Sequence, residues 1–300
     1  MNVGEVVGQL TITRQELISE GYYEDKEDFK IKSTDDMYDD VIKYYRQEKN
    51  SGYPLGWTKT SPDFMIRKGE TTCITGSSGS GKSMILSQIL LHVMNYTKVL
   101  VASMEMRPVI QISRMLSQVG LNNPTDDGIK DFCDKYKEKL YIYDQQGTTT
   151  DKDLFASLHY GKQVLGCDVF VIDSLMKIDS ISEEDYGAQK KFVNRLSVIA
   201  RDLGIHVFLV CHTKKTDEST LPDATHILGS SHIRNLVDNI LCLWRNKEHE
   251  KLAMTGDLPE DRKNECTALM MVQKQRNHTY EGTFGFWFDI KTLTYKERPL

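Results

Sequence analysis

The chain has 300 residues, with 38 Lys and Arg against 43 Asp and Glu, a formal net charge of −5. That balance excludes a protein coated in positive charge for nucleic acid, although it leaves room for a local basic channel. Hydrophobic residues make up 39% and no run approaches the ~20 apolar residues of a membrane span, so a soluble chain is expected, either one large domain with an appendage or two small domains.

The acidity is local. Residues 1–50 hold 12 acids and 7 bases, whereas residues 51–300 hold 31 of each. The N-terminus has no basic start followed by an apolar run, so no signal peptide is expected. Six cysteines, at 73, 133, 167, 211, 242 and 266, form no close pairs. That spacing excludes a zinc ribbon or a Cys-Xaa-Xaa-Cys motif and predicts reduced thiols in a cytoplasm. Cys73, Cys211 and Cys242 sit in apolar runs and read as core.

Residues 1–34 are polar. From 35 to 49, Met37, Val41, Ile42 and Tyr45 follow helical spacing, and Asn50-Ser51-Gly52 reads as a stop. Such an amphipathic helix must bury its apolar stripe, either on its own domain or on a neighbouring subunit. From Gly69 onward strands and helices alternate. Strands are predicted at 71–75, 98–103, 140–143, 169–172 and 206–211, and helices at 84–94, 109–119, 151–164 and 184–202. Further strands are predicted at 239–244, 268–272 and 285–288. Continuous apolar strands separated by helices imply an α/β fold, with a mostly parallel sheet covered on both faces.

The segment Gly76-Ser77-Ser78-Gly79-Ser80-Gly81-Lys82-Ser83 follows the first of these strands and opens a helix. It matches Gly-x4-Gly-Lys-Ser, a phosphate-binding loop in its required context. Glycines let the backbone wrap a phosphate without Cβ clashes, and the amides and helix N-terminus attract the anion. Lys82 is placed to reach the β- and γ-phosphates and the Ser83 hydroxyl to ligate Mg²⁺. The strand at 169–172 ends in Asp173, a carboxylate suited to hold Mg²⁺ through water. The strand at 98–103 ends in Ser103-Met104-Glu105-Met106. Glu105 is there either a solvated loop residue or a base facing the γ-phosphate. His212, after the strand at 206–211, is either a structural residue or a phosphate sensor.

Together, the phosphate loop, Ser-Met-Glu-Met, Val-Ile-Asp-Ser and Val-Cys-His resemble the RecA-like hexameric helicases: the DnaB type, phage primase-helicases and Twinkle. Leu228-Gly229-Ser230-Ser231-His232-Ile233-Arg234-Asn235-Leu236-Val237-Asp238 is similar to a helicase motif with Gly-Ser, then Arg, then Asp. Trp244-Arg245-Asn246 resembles the strand end near the nucleotide base, and Val272-Gln273-Lys274-Gln275-Arg276-Asn277 resembles the Lys-x-Arg motif before the last hairpin. The resemblance spans about residues 53–298, in the right order throughout.

It implies a RecA-like P-loop NTPase core at 53–300, with a C-terminal antiparallel hairpin and an N-terminal arm and linker helix at 1–52. It also implies roles. Lys82 and Ser83 bind phosphate and metal, Asp173 supports the metal, Glu105 is the catalytic glutamate and His212 the phosphate sensor. Lys274 and Arg276 reach the γ-phosphate of a neighbouring subunit, with Arg276 as the finger. Arg245 lies by the adenine, and Phe288 is the stacking aromatic or a core residue. Lys214 and Lys215 begin a loop that grips single-stranded DNA, or else a solvated turn.

On this reading the chain is a cytoplasmic ring helicase that uses ATP, or another NTP or dNTP, with Mg²⁺. Its partners are forked DNA, its own copies in a homohexamer, and a separate primase and polymerase, with no membrane. The 50 residues ahead of the core hold no Cys or His, so no priming module is expected in them. The rivals are a RecA-like recombinase or mediator that binds DNA without unwinding it, and a KaiC-like signalling ATPase.

Overall fold

A computed structural model of the chain describes residues 32–46, 51–182, 184–213, 221 and 231–298. The chain divides into two compact units, Met1–Lys49 and Asn50–Leu300. The described part of the first is a short helix, α1 (Tyr38–Arg46), preceded by a turn in which Ser33 N and Oγ both donate to Asp36 Oδ2, at 2.8 and 2.7 Å. Met37, Val41 and Tyr45, spaced on one face, are exposed.

The second unit is built on a nine-stranded sheet. In chain order its strands are β3 (Thr71–Thr75), β4 (Lys98–Ser103), β5 (Leu140–Ile142), β6 (Cys167–Asp173), β7 (His206–Val210), β8 (Asn239–Arg245), β9 (Ala268–Gln275), β10 (Gly282–Asp289) and β11 (Thr294–Lys296). Two short strands, β1 (Tyr53–Pro54) and β2 (Met65–Ile66), pair separately. The order across the sheet is β11-β10-β9-β8-β3-β7-β6-β4-β5. From β8 to β5 every pairing is parallel, and β9, β10 and β11 add antiparallel.

Alternation along each strand explains the two-faced core. Ile74, Val99, Val101, Val171, Phe208 and Leu241 point to one face, where they meet Ile85, Ile89 and Leu90 of α2 (Lys82–Val93) and Met115 of α3 (Pro108–Gln118). Cys73, Leu100, Phe170, Ile172, Leu209 and Ile240 point to the other. There they meet Leu154 and Leu158 of α5 (Asp151–Gln163) and Phe192 and Leu196 of α6 (Tyr186–Leu203). Cys73, Cys211 and Cys242 are buried, in keeping with their apolar surroundings in sequence. No helix among the described residues is long and apolar enough to cross a membrane.

Three further elements have weak sequence patterns. Helix α4 (Asp126–Tyr136) buries only Phe132 and Tyr136, and its start, Asp126-Asp127-Gly128, has the composition of a turn. The Thr125 hydroxyl makes it a helix start by accepting from Gly128 N at 3.2 Å. Helix α8 (Lys247–Thr255) has its charged residues in its first five positions and starts where Asn246 Oδ1 accepts from His249 N at 3.0 Å. Strand β11 is three residues long and is held by pairing to β10. A six-residue helix, α7 (Ser231–Leu236), precedes β8.

At the sheet edge where the parallel strands begin, Asp168 ties four segments together. It accepts from Lys162 Nζ at 2.6 Å, Lys68 Nζ at 2.7 Å, Tyr53 Oη at 2.8 Å and Thr97 Oγ1 at 3.0 Å. Burial alone raises its pKa, but these hydrogen bonds outweigh burial and hold the carboxyl well below the usual range. Asp168→Asn is therefore expected to lower the unfolding free energy by about 1–3 kcal/mol in urea melts. A depressed folded pKa gives stability that is complete above the unfolded value, roughly 3.9, and is lost only as pH falls through the folded one. The gap between wild type and mutant should thus be the same at pH 8 and pH 5, and a gap that closes by pH 5 contradicts the assignment.

Candidate nucleotide site

Parallel strands bring their C-terminal ends to one edge, so the residues after β3, β4, β6 and β7 share a crevice. The loop at 76–83 leaves β3 there and turns into α2, with Gly81 as its N-cap. Two glycines are required by what surrounds them. A Cβ on Gly81, whose φ is 89°, would lie 1.9 Å from Tyr295 Oη, and one on Gly76 would lie 2.4 Å from Leu243 O. The loop is thereby pressed onto β8 and β11.

Lys82 is 7% exposed and folds across the loop, donating to Gly76 O at 2.8 Å and Ser77 O at 3.0 Å. Burial lowers its pKa, opposed by the charges of Asp173 and Glu105. The Ser83 hydroxyl donates to Asp173 Oδ2 at 2.7 Å. Asp173 is 5% exposed, and burial pushes its carboxyl pKa up. A hydroxyl and a buried carboxylate side by side are hard-oxygen donors that fit Mg²⁺, which keeps several waters and takes the rest of its ligands from phosphates. Among the described residues no group of three or more His, Cys, Asp or Glu is arranged to hold a metal ion by itself, so this hydroxyl–carboxylate pair is the donor set on offer here.

Glu105 stands beside the pair because Met104 N donates to Asp173 O at 2.9 Å. Its Oε1 accepts from Ser174 Oγ at 2.8 Å and lies 3.4 Å from His212 Nε2. The His212 hydrogen bond, helped by Ser174 and opposed by burial, lowers the Glu105 pKa to about 2. The crevice thus joins Lys82, Ser83, Asp173, Glu105 and His212 within one chain.

Other candidate residues lie elsewhere. Arg245, at the end of β8, binds both oxygens of Glu250, with Nη2–Oε2 at 2.9 Å, and its Cζ lies 3.7 Å over the Phe288 ring. Phe288 is 6% exposed, with Tyr295 also against its ring, so it is a core residue roofed by Arg245. Lys274 and Arg276 do not enter this crevice. In the antiparallel β8–β9 pair, Arg245 faces Ala268 and Asn239 faces Gln275. The Lys274–Arg276 end therefore lies a full strand away from the loop, about 20 Å at the usual rise per residue. Lys214 and Lys215 lie outside the described residues, as does most of the segment between Thr213 and Ser231.

The structure adds a cation that strand-end reasoning passed over. Lys247, the first residue of α8, reaches the tip of the loop and donates to Ser78 O at 3.2 Å. Its sequence signal was the position just past Trp244-Arg245-Asn246, at the same sheet edge as the loop.

With this geometry in place, similarity to known proteins is informative. The AAA domain family matches residues 61–218, just over half of the chain. The chain belongs to the AAA domain family. The matched span of this AAA domain includes the loop, Glu105, Asp173 and His212, and ends before Arg245, Lys274 and Arg276. A DNA helicase/primase of Enterobacteria phage T3 is 28% identical over 221 residues, covering 64% of this chain and 37% of that protein. The chain thus spans little more than a third of the length of that relative. Among solved structures, one described as an ATPase domain superposes with a TM-score of 0.72 at 16% identity, over 89% of this chain and 99% of that one. A DnaB-like replicative helicase, described with its interactions with primase, superposes at 0.69 and 17% identity, over 94% and 71%. The fold of this AAA domain is therefore the RecA-like fold of helicase ATPase domains.

The crowding at Gly81 gives a direct test. Gly81→Ala forces a Cβ into the left-handed region and against Tyr295, at a cost of about 1–2 kcal/mol for the backbone and about 1–3 for the overlap. The variant is expected to lose at least about tenfold in affinity for a fluorescent ATP analogue. Affinity equal to wild type would show that the loop does not need this geometry.

Proposed function

We propose that this chain is the motor of a ring-shaped replicative DNA helicase, which hydrolyses ATP between adjacent copies to translocate on single-stranded DNA and unwind forked duplex. The observation that carries the reading is the division of the site. One edge of the sheet holds Lys82, Ser83, Asp173, Glu105 and His212, and the opposite edge holds Lys274 and Arg276. One chain cannot bring the two together, but a second copy set edge to edge can. The phage helicase/primase relative and the helicase ATPase folds support the same reading, and neither favours a recombinase.

In the proposed site the loop amides and Lys82 cradle the phosphates. Ser83 and Asp173 hold Mg²⁺, which when bound neutralises charge on the β- and γ-phosphates. Glu105 is ionised and accepts the proton of the attacking water. Water oxygen bonds to the γ-phosphorus, the bond to the β–γ bridging oxygen breaks, and ADP and phosphate leave. His212, which lies 3.4 Å from Glu105, can turn its hydrogen bond to the γ-phosphate and so free Glu105 for the water. Arg276 and Lys274 of the adjacent copy stabilise the charge that develops on the transferred group. Arg245 borders the base, with Phe288 supporting it from beneath. Lys247 meets a phosphate oxygen from the base side. Lys214 and Lys215 of the copies in a homohexamer face DNA in the central channel. Primase and polymerase act as separate partners, in a cytoplasm.

Forked-substrate strand displacement, with ATP hydrolysis measured with and without single-stranded DNA, tests the proposal. Both displacement and DNA-stimulated hydrolysis are expected. Displacement absent beside DNA-stimulated filaments in electron micrographs would favour the recombinase reading. Glu105→Gln should lower kcat by at least about 10²-fold with nucleotide binding intact. Lys247→Ala should raise the KM for ATP by about threefold to tenfold with little change in kcat, as expected for a lost charge-assisted contact in a partly exposed place.

A further inference from the structure

Lys274 and Arg276 reach the far edge of the sheet already held. Arg276 Nη1 donates to Asp238 Oδ1 at 3.0 Å, and its Nη2 donates to Asn235 O at 3.0 Å. Lys274 Nζ donates to Val237 O at 2.6 Å and Arg234 O at 2.8 Å, with Asn235 O at 3.4 Å. Both cations therefore rest on the C-terminal turn of α7, where carbonyls lack helical partners and the helix dipole is negative.

Asp238 is the centre of this seat. Its side chain is 6% exposed, against 40% for Arg276. Oδ2 accepts from Thr71 N at 2.9 Å, and Asp238 N donates to Thr71 O at 2.9 Å. Arg276 N in turn donates to Asp238 O at 2.9 Å. Thr71 opens β3, the strand that ends at the phosphate loop. One buried carboxylate thus mounts Arg276 on the strand that carries its own chain's loop, from the opposite end.

Charge makes the mount necessary. Arg234, Lys274 and Arg276 crowd together, and on Lys274 the charges of Arg276 and Arg234 act against that of Asp238. Without the carboxylate, the cations repel and the guanidinium is free to swing. An arginine has five N–H donors, and only two are used in the seat, so three remain for a phosphate. The arrangement fixes the fork without exhausting it.

We infer that Asp238 is the positioning residue of the trans-acting Arg276, holding its guanidinium in the one orientation in which it can serve the site of the adjacent copy. This rests on the reading of Arg276 as a finger given above. Asp238 touches no reacting atom. It acts by removing the freedom that a flexible side chain would otherwise lose in the transition state.

The test compares Asp238→Asn, Asp238→Glu and Arg276→Ala in the full chain with ATP and single-stranded DNA. Asn keeps the size and an oxygen for Thr71 N, but its NH₂ cannot accept from Arg276. For Asp238→Asn, kcat is expected to fall at least about tenfold, while the KM for ATP and the affinity for a fluorescent ADP analogue stay within about twofold. Trapping of ADP with aluminium fluoride, which imitates the transferring phosphoryl group, should be lost in Asp238→Asn and Arg276→Ala alike. Asp238→Glu, which keeps the carboxylate, should retain clearly more turnover than Asp238→Asn. The inference is overturned if Asp238→Asn turns over within about twofold of wild type while Arg276→Ala does not. It is also overturned if Asp238→Asn and Asp238→Glu lose equally, or if nucleotide affinity or folding falls with kcat, which would make Asp238 a cap for Thr71 alone. Normal turnover in Arg276→Ala would instead remove the finger reading itself.

Discussion

β3 is buried along its whole length, and the functional groups hang from its two ends. A five-residue strand covered on both faces and paired in parallel on both sides cannot tilt or slide without breaking two ladders and two core layers at once. The phosphate loop leaves its C-terminal end, and Asp238 is bonded to its N-terminal residue. The spacing between one chain's phosphate site and its own Arg276 is therefore set by strand geometry and not by loops. That constraint makes the site a property of neighbouring copies in the proposed ring.

Within the chain, the polar side chains of the crevice have internal partners. Lys82 rests on two loop carbonyls, Ser83 on Asp173, and Glu105 on Ser174 and His212. Each is a polar or charged group that burial would penalise if it stood alone. Each of these partners is one that a phosphate, a metal ion or a water could replace.

The far edge follows the same logic with opposite charge. The C-terminal turn of α7 and the Asp238 carboxylate collect Lys274 and Arg276, cations that would otherwise repel each other. A core with equal numbers of acids and bases can thus present locally positive and locally negative edges, and the net charge of −5 belongs to the N-terminal 50 residues. The overall charge therefore says little about what the folded core can bind.

By itself the sequence determined the alternation of buried strands and helices, the phosphate loop and the polar residues after each parallel strand. These are signals of local spacing: apolar runs must be buried, and glycines must stand where a Cβ would clash. Asp173, Glu105 and His212 were legible because parallel strands all end at one edge, so chain order alone places them together. The start of α4 was not legible, because Asp126-Asp127-Gly128 reads as a turn until the Thr125 cap and the burial of Phe132 and Tyr136 decide otherwise. Tertiary structure alone decided that Phe288 lies beneath Arg245, that Lys247 reaches the loop, and that Arg276 is seated on Asp238. Those contacts join residues 38 to 169 positions apart through antiparallel additions and a helix start. Their partners are set by sheet register and packing, which no local pattern along the chain encodes.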